Sequence, residues 1–218
     1  MSEFKGLLFD LDGVIVDTAK YHFLAWKELA NELGINFTEK DNERLKGVSR
    51  MRSFEIILEI GNRDMSEEDK EMYCTKKNNV YLEYIKKLRE DEILPGVKDF
   101  LTHAREAGYK LALGSASKNA PLILNQLKIS DLFDEIIDGT KVSKAKPDPE
   151  VFCKGAEALG VPYEQCIVFE DALAGVEAAH NGGMKAVGIG DPANLPGAEM
   201  HIPGLYAATI EEIVAKIG

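Results

Sequence analysis

Apolar residues in this chain follow two rhythms, one between residues 18 and 90 and another everywhere else. "KGLLFDL", residues 5–11, is a compact apolar run broken by Asp10 and predicts a buried strand. From Thr18 the spacing becomes helical. "AKYHFLAWKELANELG" places Phe23, Trp26, Leu29, Ala30 and Leu33 at three- and four-residue steps, and Gly34 suits the stop of that helix. "SRMRSFEIILEIG" and "SEEDKEMYCTKKNNVYLEYIKKLRE" continue the pattern, the second opening on Ser66 as a helix cap followed by acids. Phe23 and Trp26 read as packing within these helices, and no segment from 18 to 90 predicts a strand.

After the turn signal Pro95-Gly96 the rhythm changes. Helix "VKDFLTHAREAG" leads to strand "KLALGSAS", helix "NAPLILNQLKI" and a short strand "EIID". Helix "PEVFCKGAEALG" then leads to strand "CIVFED", helix "ALAGVEAAHNGG" and strand "KAVGIG". The segment from Gly190 reads as a last strand, a loop and a packing helix, "TIEEIVAKI". Strands alternating with helices predict right-handed βαβ units and a parallel sheet. The expected fold is therefore α/β: a Rossmann-like parallel-sheet core from residues 1–17 and 91–218, with an all-helical domain, 18–90, inserted after the first strand.

In open α/β sheets ligands bind beyond the carboxyl ends of the strands, and here those ends are polar. Asp10 follows "LLF", Ser115 follows "LALG", and Glu170-Asp171 follow "CIVF". Acids brought close together repel unless a cation lies between them or one stays protonated. Asp10, Asp12, Glu170 and Asp171 are either turn and cap residues or oxygen ligands for one hard cation, for which Mg²⁺ is suited. With a cation there, Asp10 is able to attack phosphorus and Asp12 to exchange a proton with the attacking or leaving hydroxyl. Gly13 permits a tight turn beside them. Phosphoryl transfer also needs positive charge and donors around the equatorial oxygens, which Ser115 and Lys146 of "KAKPDPE" are placed to supply. Asp148 or Pro149 opens the helix after that loop.

Composition narrows the field. A net charge of −11 argues against a general nucleic-acid binder. Cys74, Cys153 and Cys166 form no CxxC pair and suit free thiols in a reducing compartment. His103, His180 and His201 lack ligand partners at metal spacing. The N-terminus lacks signal-peptide character and no run reaches membrane-spanning length, so a cytoplasmic protein without a membrane partner is expected.

The four strand-end motifs, in this order, resemble those of the haloacid dehalogenase-like phosphotransferase superfamily over essentially the whole chain. "FDLDGVIVDT" is similar to its first motif, "GSAS" to its second, Lys146 in "AKPDP" to its third and "FEDALAGVEAA" to its fourth. The helical insert resembles the family's cap domain, which closes over the core. "TAKYHFLAWKELA", "LKGVSR" and "SASKN" narrow the resemblance to the β-phosphoglucomutase branch. That resemblance implies Asp10 as phosphoryl-carrying nucleophile and Asp12 as general acid/base. It implies Mg²⁺ held by Asp10, the Asp12 carbonyl, Glu170 and Asp171, with Ser115 and Lys146 on the transferring group. It implies Arg50, Ser117, Lys118 and Asn119 at the distal phosphate and sugar, Gly47, Val48 and Ser49 lining the cap side, and His22 and Lys76 near the hinge and sugar. From the residues alone, His22 is equally a packed neighbour of Trp26.

The implied reaction interconverts β-D-glucose 1-phosphate and glucose 6-phosphate, with hexose phosphates as partners and glucose 1,6-bisphosphate as intermediate and activator; a monomer is expected because cap opening needs little contact between subunits. A sugar-phosphate phosphatase is the alternative on the same scaffold. A receiver-type module switched by an aspartyl phosphate would leave Asp12 and the helical insert without a role.

Overall fold

The computed structural model describes residues 4–45 and 49–218. The chain forms β1 (Gly6–Phe9), then the insert α1 (Ala19–Glu32), α2 (Glu39–Asn42), α3 (Arg50–Ile60) and α4 (Glu67–Ile85). It continues through α5 (Val97–Glu106), β2 (Lys110–Gly114), α6 (Ala120–Gln126), β3 (Glu135–Ile137), α7 (Glu150–Leu159) and β4 (Cys166–Glu170). It ends with α8 (Leu173–Asn181), β5 (Lys185–Ile189), β6 (Met200–Ile202) and α9 (Ile210–Ile217). Among the described residues the strands form one six-stranded sheet in the order β3-β2-β1-β4-β5-β6, with every neighbouring pair parallel. This is the α/β class with a helical insertion that the sequence predicts.

The strand order carries the functional consequence. From β1 the chain builds outward through β2 to β3, then returns to the opposite side of β1 for β4, β5 and β6. The β1–β4 pair is thus a switch point, where helices diverge and leave a crevice beyond the carboxyl ends.

The contacts divide the chain into two compact units, Met1–Asp17 with Leu88–Gly218 and Thr18–Lys87. Residues 88–90, assigned to the helical segment by sequence, group with the α/β unit. The helix ends at Ile85, and beyond it Ile93 pairs antiparallel with Val16 while Leu94 N–H donates to Ile15 O at 3.0 Å.

In the α/β unit β1 and β4 are buried along their whole length. Leu8, Ala112, Val168 and Ala186 of the sheet pack with Phe152 and Ala156 of α7 and Val176 and Ala179 of α8. Phe9 and Phe169 stack with centroids 4.6 Å apart, and Phe100 of α5 meets both edge-on. Full burial of such side chains stabilises by roughly 1.5–3 kcal/mol each.

The helical unit has its own core of Trp26, Leu29, Ala30, Phe37, Phe54 and Ile57. Trp26 lies parallel to Phe54 with centroids 6.0 Å apart, and α1 stops as predicted before Gly34, whose φ is +67°. Ser66 caps α4 by accepting the Asp69 N–H at 3.1 Å. The three cysteines are free, and burial pushes the Cys166 thiol up to about 12, which makes it unreactive. No described helix is long and apolar enough to cross a membrane.

Candidate active site

Asp10 stands beside Glu170 because β1–β4 pairing runs one residue past the strand. Phe9 pairs with Phe169, and the Asp10 N–H donates to the Phe169 carbonyl at 3.0 Å. The chain then turns sharply. Gly13 N–H donates to Val16 O at 2.9 Å and Ile15 N–H to Leu11 O at 2.9 Å. Gly13 has φ +75°, and a Cβ there would lie 2.0 Å from Asp171 Oδ2. Both the turn and the approach of Asp171 require glycine at this position.

Lys146 sits between two carboxylates. Its Nζ donates to Asp10 Oδ1 at 2.5 Å, to Glu170 Oε1, and to the Gly114 carbonyl at 3.3 Å. All three side chains are largely shielded from water, Glu170 almost completely. Burial opposes the Lys146 charge, but Asp10 and Glu170 outweigh it and hold the ammonium pKa above its ordinary value. Lys146 is 136 residues from Asp10 in sequence, so only the fold unites them.

Carboxylate oxygens of Asp10, Glu170 and Asp171 all lie within 4.8 Å of one another. Burial, opposed by Lys146 but reinforced by Asp10, pushes the Glu170 acid up to about 7. Burial and the neighbouring charges of Asp10, Glu170 and Asp12 push Asp171 to about 7 as well. Three oxygen donors this close, two of them (Glu170 and Asp171) with pKa values raised by burial and by the neighbouring negative charge, form a set whose repulsion a hard divalent cation would relieve. The residues present fit such an ion.

The raised pKa values of Glu170 and Asp171 set a pH dependence. The ordinary values are 4.5 for Glu170 and 3.8 for Asp171, so between those values and about 7 the folded chain holds more protons than the unfolded one. The stability this confers is complete below the ordinary carboxylate range and is lost as pH rises through about 7. Glu170 alone accounts for a change on the order of a few kcal/mol. In metal-free protein the melting temperature is expected to fall from about pH 5 to about pH 8. Added Mg²⁺ should raise it more at the higher pH, and equal magnesium effects at both values would contradict a shared site.

Ser115, at the end of β2, is buried, and its N–H donates to Ile137 O at 2.9 Å. Its Oγ accepts the Ser117 N–H at 3.1 Å, and Ser117 Oγ accepts the Asn119 N–H at 3.2 Å. These consecutive turns form the loop before α6. Lys118 is exposed on it, and Asn119 occupies the N-cap position of the helix. After the Lys146 loop, Pro149 stands at the N-cap of α7 while Asp148 Oδ1 accepts the Glu150 N–H at 3.0 Å. Ala172, not Asp171, is the N-cap residue of α8, so the cap alternative for Asp171 does not hold.

Within the helical unit, Ser49 caps α3 by accepting the Arg52 N–H at 3.2 Å, and Arg50 Nη2 donates to Asn78 Oδ1 at 2.9 Å. Gly47 and Val48 lie outside the described residues. His22 stacks on Tyr81 with centroids 4.0 Å apart, and its Nδ1 meets Lys77 Nζ at 2.7 Å. Burial, then the charges of Lys77 and Arg50, hold the His22 pKa well below its ordinary value, so the ring is neutral and Nδ1 accepts from the ammonium. Lys76 points elsewhere. It is about half exposed and pairs with Glu32 Oε1 at 2.5 Å, whereas Lys77 is 2 % exposed beside Trp26 and Tyr81. Of the two adjacent lysines it is Lys77 that meets His22, a residue that sequence reasoning does not single out. The buried stripe Cys74, Lys77, Tyr81 and Ile85 was the signal that distinguishes them. His103, His180 and His201 meet Glu211, Glu199 and the Leu195 carbonyl, outside the acidic cluster.

Sequence reasoning also passes over Gly175. A Cβ there would lie 1.9 Å from Glu170 Cδ, so the first turn of α8 leaves open the space that the carboxylate fills. Its only local signal is a glycine early in a helix that follows a motif-bearing strand.

A family model described as haloacid dehalogenase-like hydrolase matches residues 4–183. The β-phosphoglucomutase of Bacillus subtilis (strain 168) is 42% identical over 209 residues, covering 95% of this chain and 92% of the relative. A phosphorylated carbohydrates phosphatase of Thermotoga maritima is 31% identical over 186 residues, covering 84% of this chain and 83% of the relative. The crystal structure of a β-phosphoglucomutase from Clostridium difficile aligns with TM-score 0.91 at 42% identity, over 98% of this chain and 97% of that one. Carboxylates and a lysine gathered at the β1–β4 switch point, on a chain matched along most of its length, give one conclusion: the protein belongs to the haloacid dehalogenase-like hydrolase family.

Proposed function

We propose that this chain is a β-phosphoglucomutase acting through a phospho-Asp10 intermediate. The observation that carries this reading is the Asp10–Lys146–Glu170–Asp171 cluster at the switch point, in a chain 42% identical to a β-phosphoglucomutase over 95% of its length.

An Asp10 carboxylate oxygen bonds to phosphorus as the bond from phosphorus to the sugar oxygen breaks, and Asp12 gives that oxygen its proton. In the reverse half, Asp12 takes the proton from a sugar hydroxyl, whose oxygen attacks phosphorus and frees Asp10. Phospho-Asp10 thus converts β-glucose 1-phosphate to the 1,6-bisphosphate. Return of the other phosphoryl group to Asp10 leaves glucose 6-phosphate. Mg²⁺, held by Asp10, Glu170, Asp171 and the Asp12 carbonyl, would supply positive charge against the phosphoryl oxygens. The Ser115 hydroxyl and Lys146 ammonium hold the transferring group. Ser117, Lys118 and Asn119 serve the sugar end. Arg50, whose planar fork suits a phosphate, serves the distal end with Gly47, Val48 and Ser49. His22 joins them, with Lys77 in the place expected for Lys76.

A second reading is a sugar-phosphate phosphatase, favoured by the 31% identity to the phosphorylated carbohydrates phosphatase. The two differ in whether a sugar hydroxyl or water discharges phospho-Asp10. Phosphorus NMR of β-glucose 1-phosphate, with Mg²⁺ and a trace of glucose 1,6-bisphosphate, separates them. Glucose 6-phosphate is the expected product; inorganic phosphate as the main product would overturn the mutase reading.

A further inference from the structure

The loop between β3 and α7 has no regular structure around Lys146, yet that side chain must reach both Asp10 and Glu170. Side chains beyond the loop fasten it. Glu150, the first residue of α7, takes three hydrogen bonds on Oε2: from Ser143 N–H at 2.9 Å, Ser143 Oγ at 3.0 Å and Lys144 N–H at 2.7 Å. Its Oε1 accepts from Lys154 Nζ at 2.6 Å, and the same ammonium donates to the Lys141 carbonyl at 2.6 Å. Farther along, Asn181 Nδ2 donates to the Pro147 carbonyl at 2.9 Å. Hydrogen bonding from Lys154, then from the Ser143 and Lys144 N–H groups, pushes the Glu150 acid down to about 2, so it stays ionised throughout the working range.

We propose that Glu150 is a positioning residue for Lys146: by tying down residues 143 and 144 it fixes the path of the loop and keeps the ammonium on Asp10 and Glu170. The physical reason separates position from stability. Ser143 and Lys144 are exposed, so without Glu150 their N–H groups turn to water at small cost. What is lost is the single path of the loop, and with it the placement of a group needed within hydrogen-bond reach. The catalytic consequence rests on the proposed role of Lys146; the placement itself does not.

The first test therefore needs no turnover. Lysine acetylation by acetic anhydride, resolved by mass spectrometry, reads the accessibility of Lys146, whose side chain is only 14% exposed. Lys146 is expected to react severalfold faster in Glu150→Ala than in the unmodified protein, with Lys110 at the opposite end of the sheet unchanged. Glu150→Gln, which keeps one carbonyl acceptor, should fall between them, and it decides the matter if the alanine variant does not fold. Unchanged Lys146 labelling in a folded variant overturns the proposal. The second test is a double-mutant cycle on kcat. Glu150→Ala should cost about tenfold alone and almost nothing further in a Lys146→Ala background. Equal losses in both backgrounds would assign Glu150 a general structural role instead. Inorganic phosphate as product, or full activity in Lys146→Ala, would overturn the proposed function while the labelling result still decides the placement.

Discussion

Asp10→Asn is expected to reduce turnover about ten-thousandfold or more while leaving the protein folded, because the amide cannot accept a phosphoryl group in the first half-reaction. The fold does not depend on this carboxylate for packing, since Asp10 is anchored through its backbone N–H on Phe169 O. After burial, its charge helps to raise the pKa values of both Glu170 and Asp171. Removing it relieves that repulsion but also takes one of the two carboxylate partners from the Lys146 ammonium, so the expected result is a shallower fall of melting temperature between about pH 5 and pH 8 in metal-free Asp10→Asn than in the unmodified protein. Product formation by phosphorus NMR and a melting curve check both parts. Turnover above about a tenth of the original would remove Asp10 as nucleophile.

Lys146→Ala carries the second large effect, and it divides between activity and stability. On the proposed mechanism, loss of the Lys146 charge facing the phosphoryl oxygens is expected to lower kcat by roughly a hundred- to a thousandfold. In metal-free protein the same change leaves Glu170, 1 % exposed, without its ammonium partner. Breaking a buried ion pair by removing one member costs about 3–5 kcal/mol when the remaining charge cannot escape. Glu170 can escape by taking a proton, because its acid already stands at about 7. The stability loss should therefore be large near pH 8, small near pH 6, and reduced at the higher pH by Mg²⁺. Chemical denaturation at the two values measures it. A loss independent of pH would mean that Lys146 acts by packing on Phe152, whose ring centroid lies 4.6 Å from its Nζ, more than by charge.

Gly13 and Gly175 show how closely the acidic cluster is built into the backbone. Each leaves a space that a neighbouring carboxylate fills, Asp171 in one case and Glu170 in the other. The acids are thus placed by the turn after β1 and by the first turn of α8, and the site is as rigid as those elements.

The sequence by itself determined the elements and most of the residues at their ends. Alternating apolar runs and amphipathic segments marked the α/β core, the cap at Ser66 marked the start of α4, and Asp10, Ser115 and Glu170-Asp171 were legible because polar residues closing buried strands have few structural reasons to be there. Local patterns carry that information because backbone periodicity and capping are decided within a few residues. The tertiary structure decided the rest. The order β3-β2-β1-β4-β5-β6, which makes β1 and β4 neighbours, depends on pairing between distant segments. So do the placing of Lys146 between Asp10 and Glu170 and the three bonds from Glu150 into its loop. Adjacent Lys76 and Lys77 are chemically alike, and the packing of α4 against α1 puts one in solvent and the other against His22. Which side chains meet is set by the register and packing of whole elements, and no short stretch of chain encodes that alone.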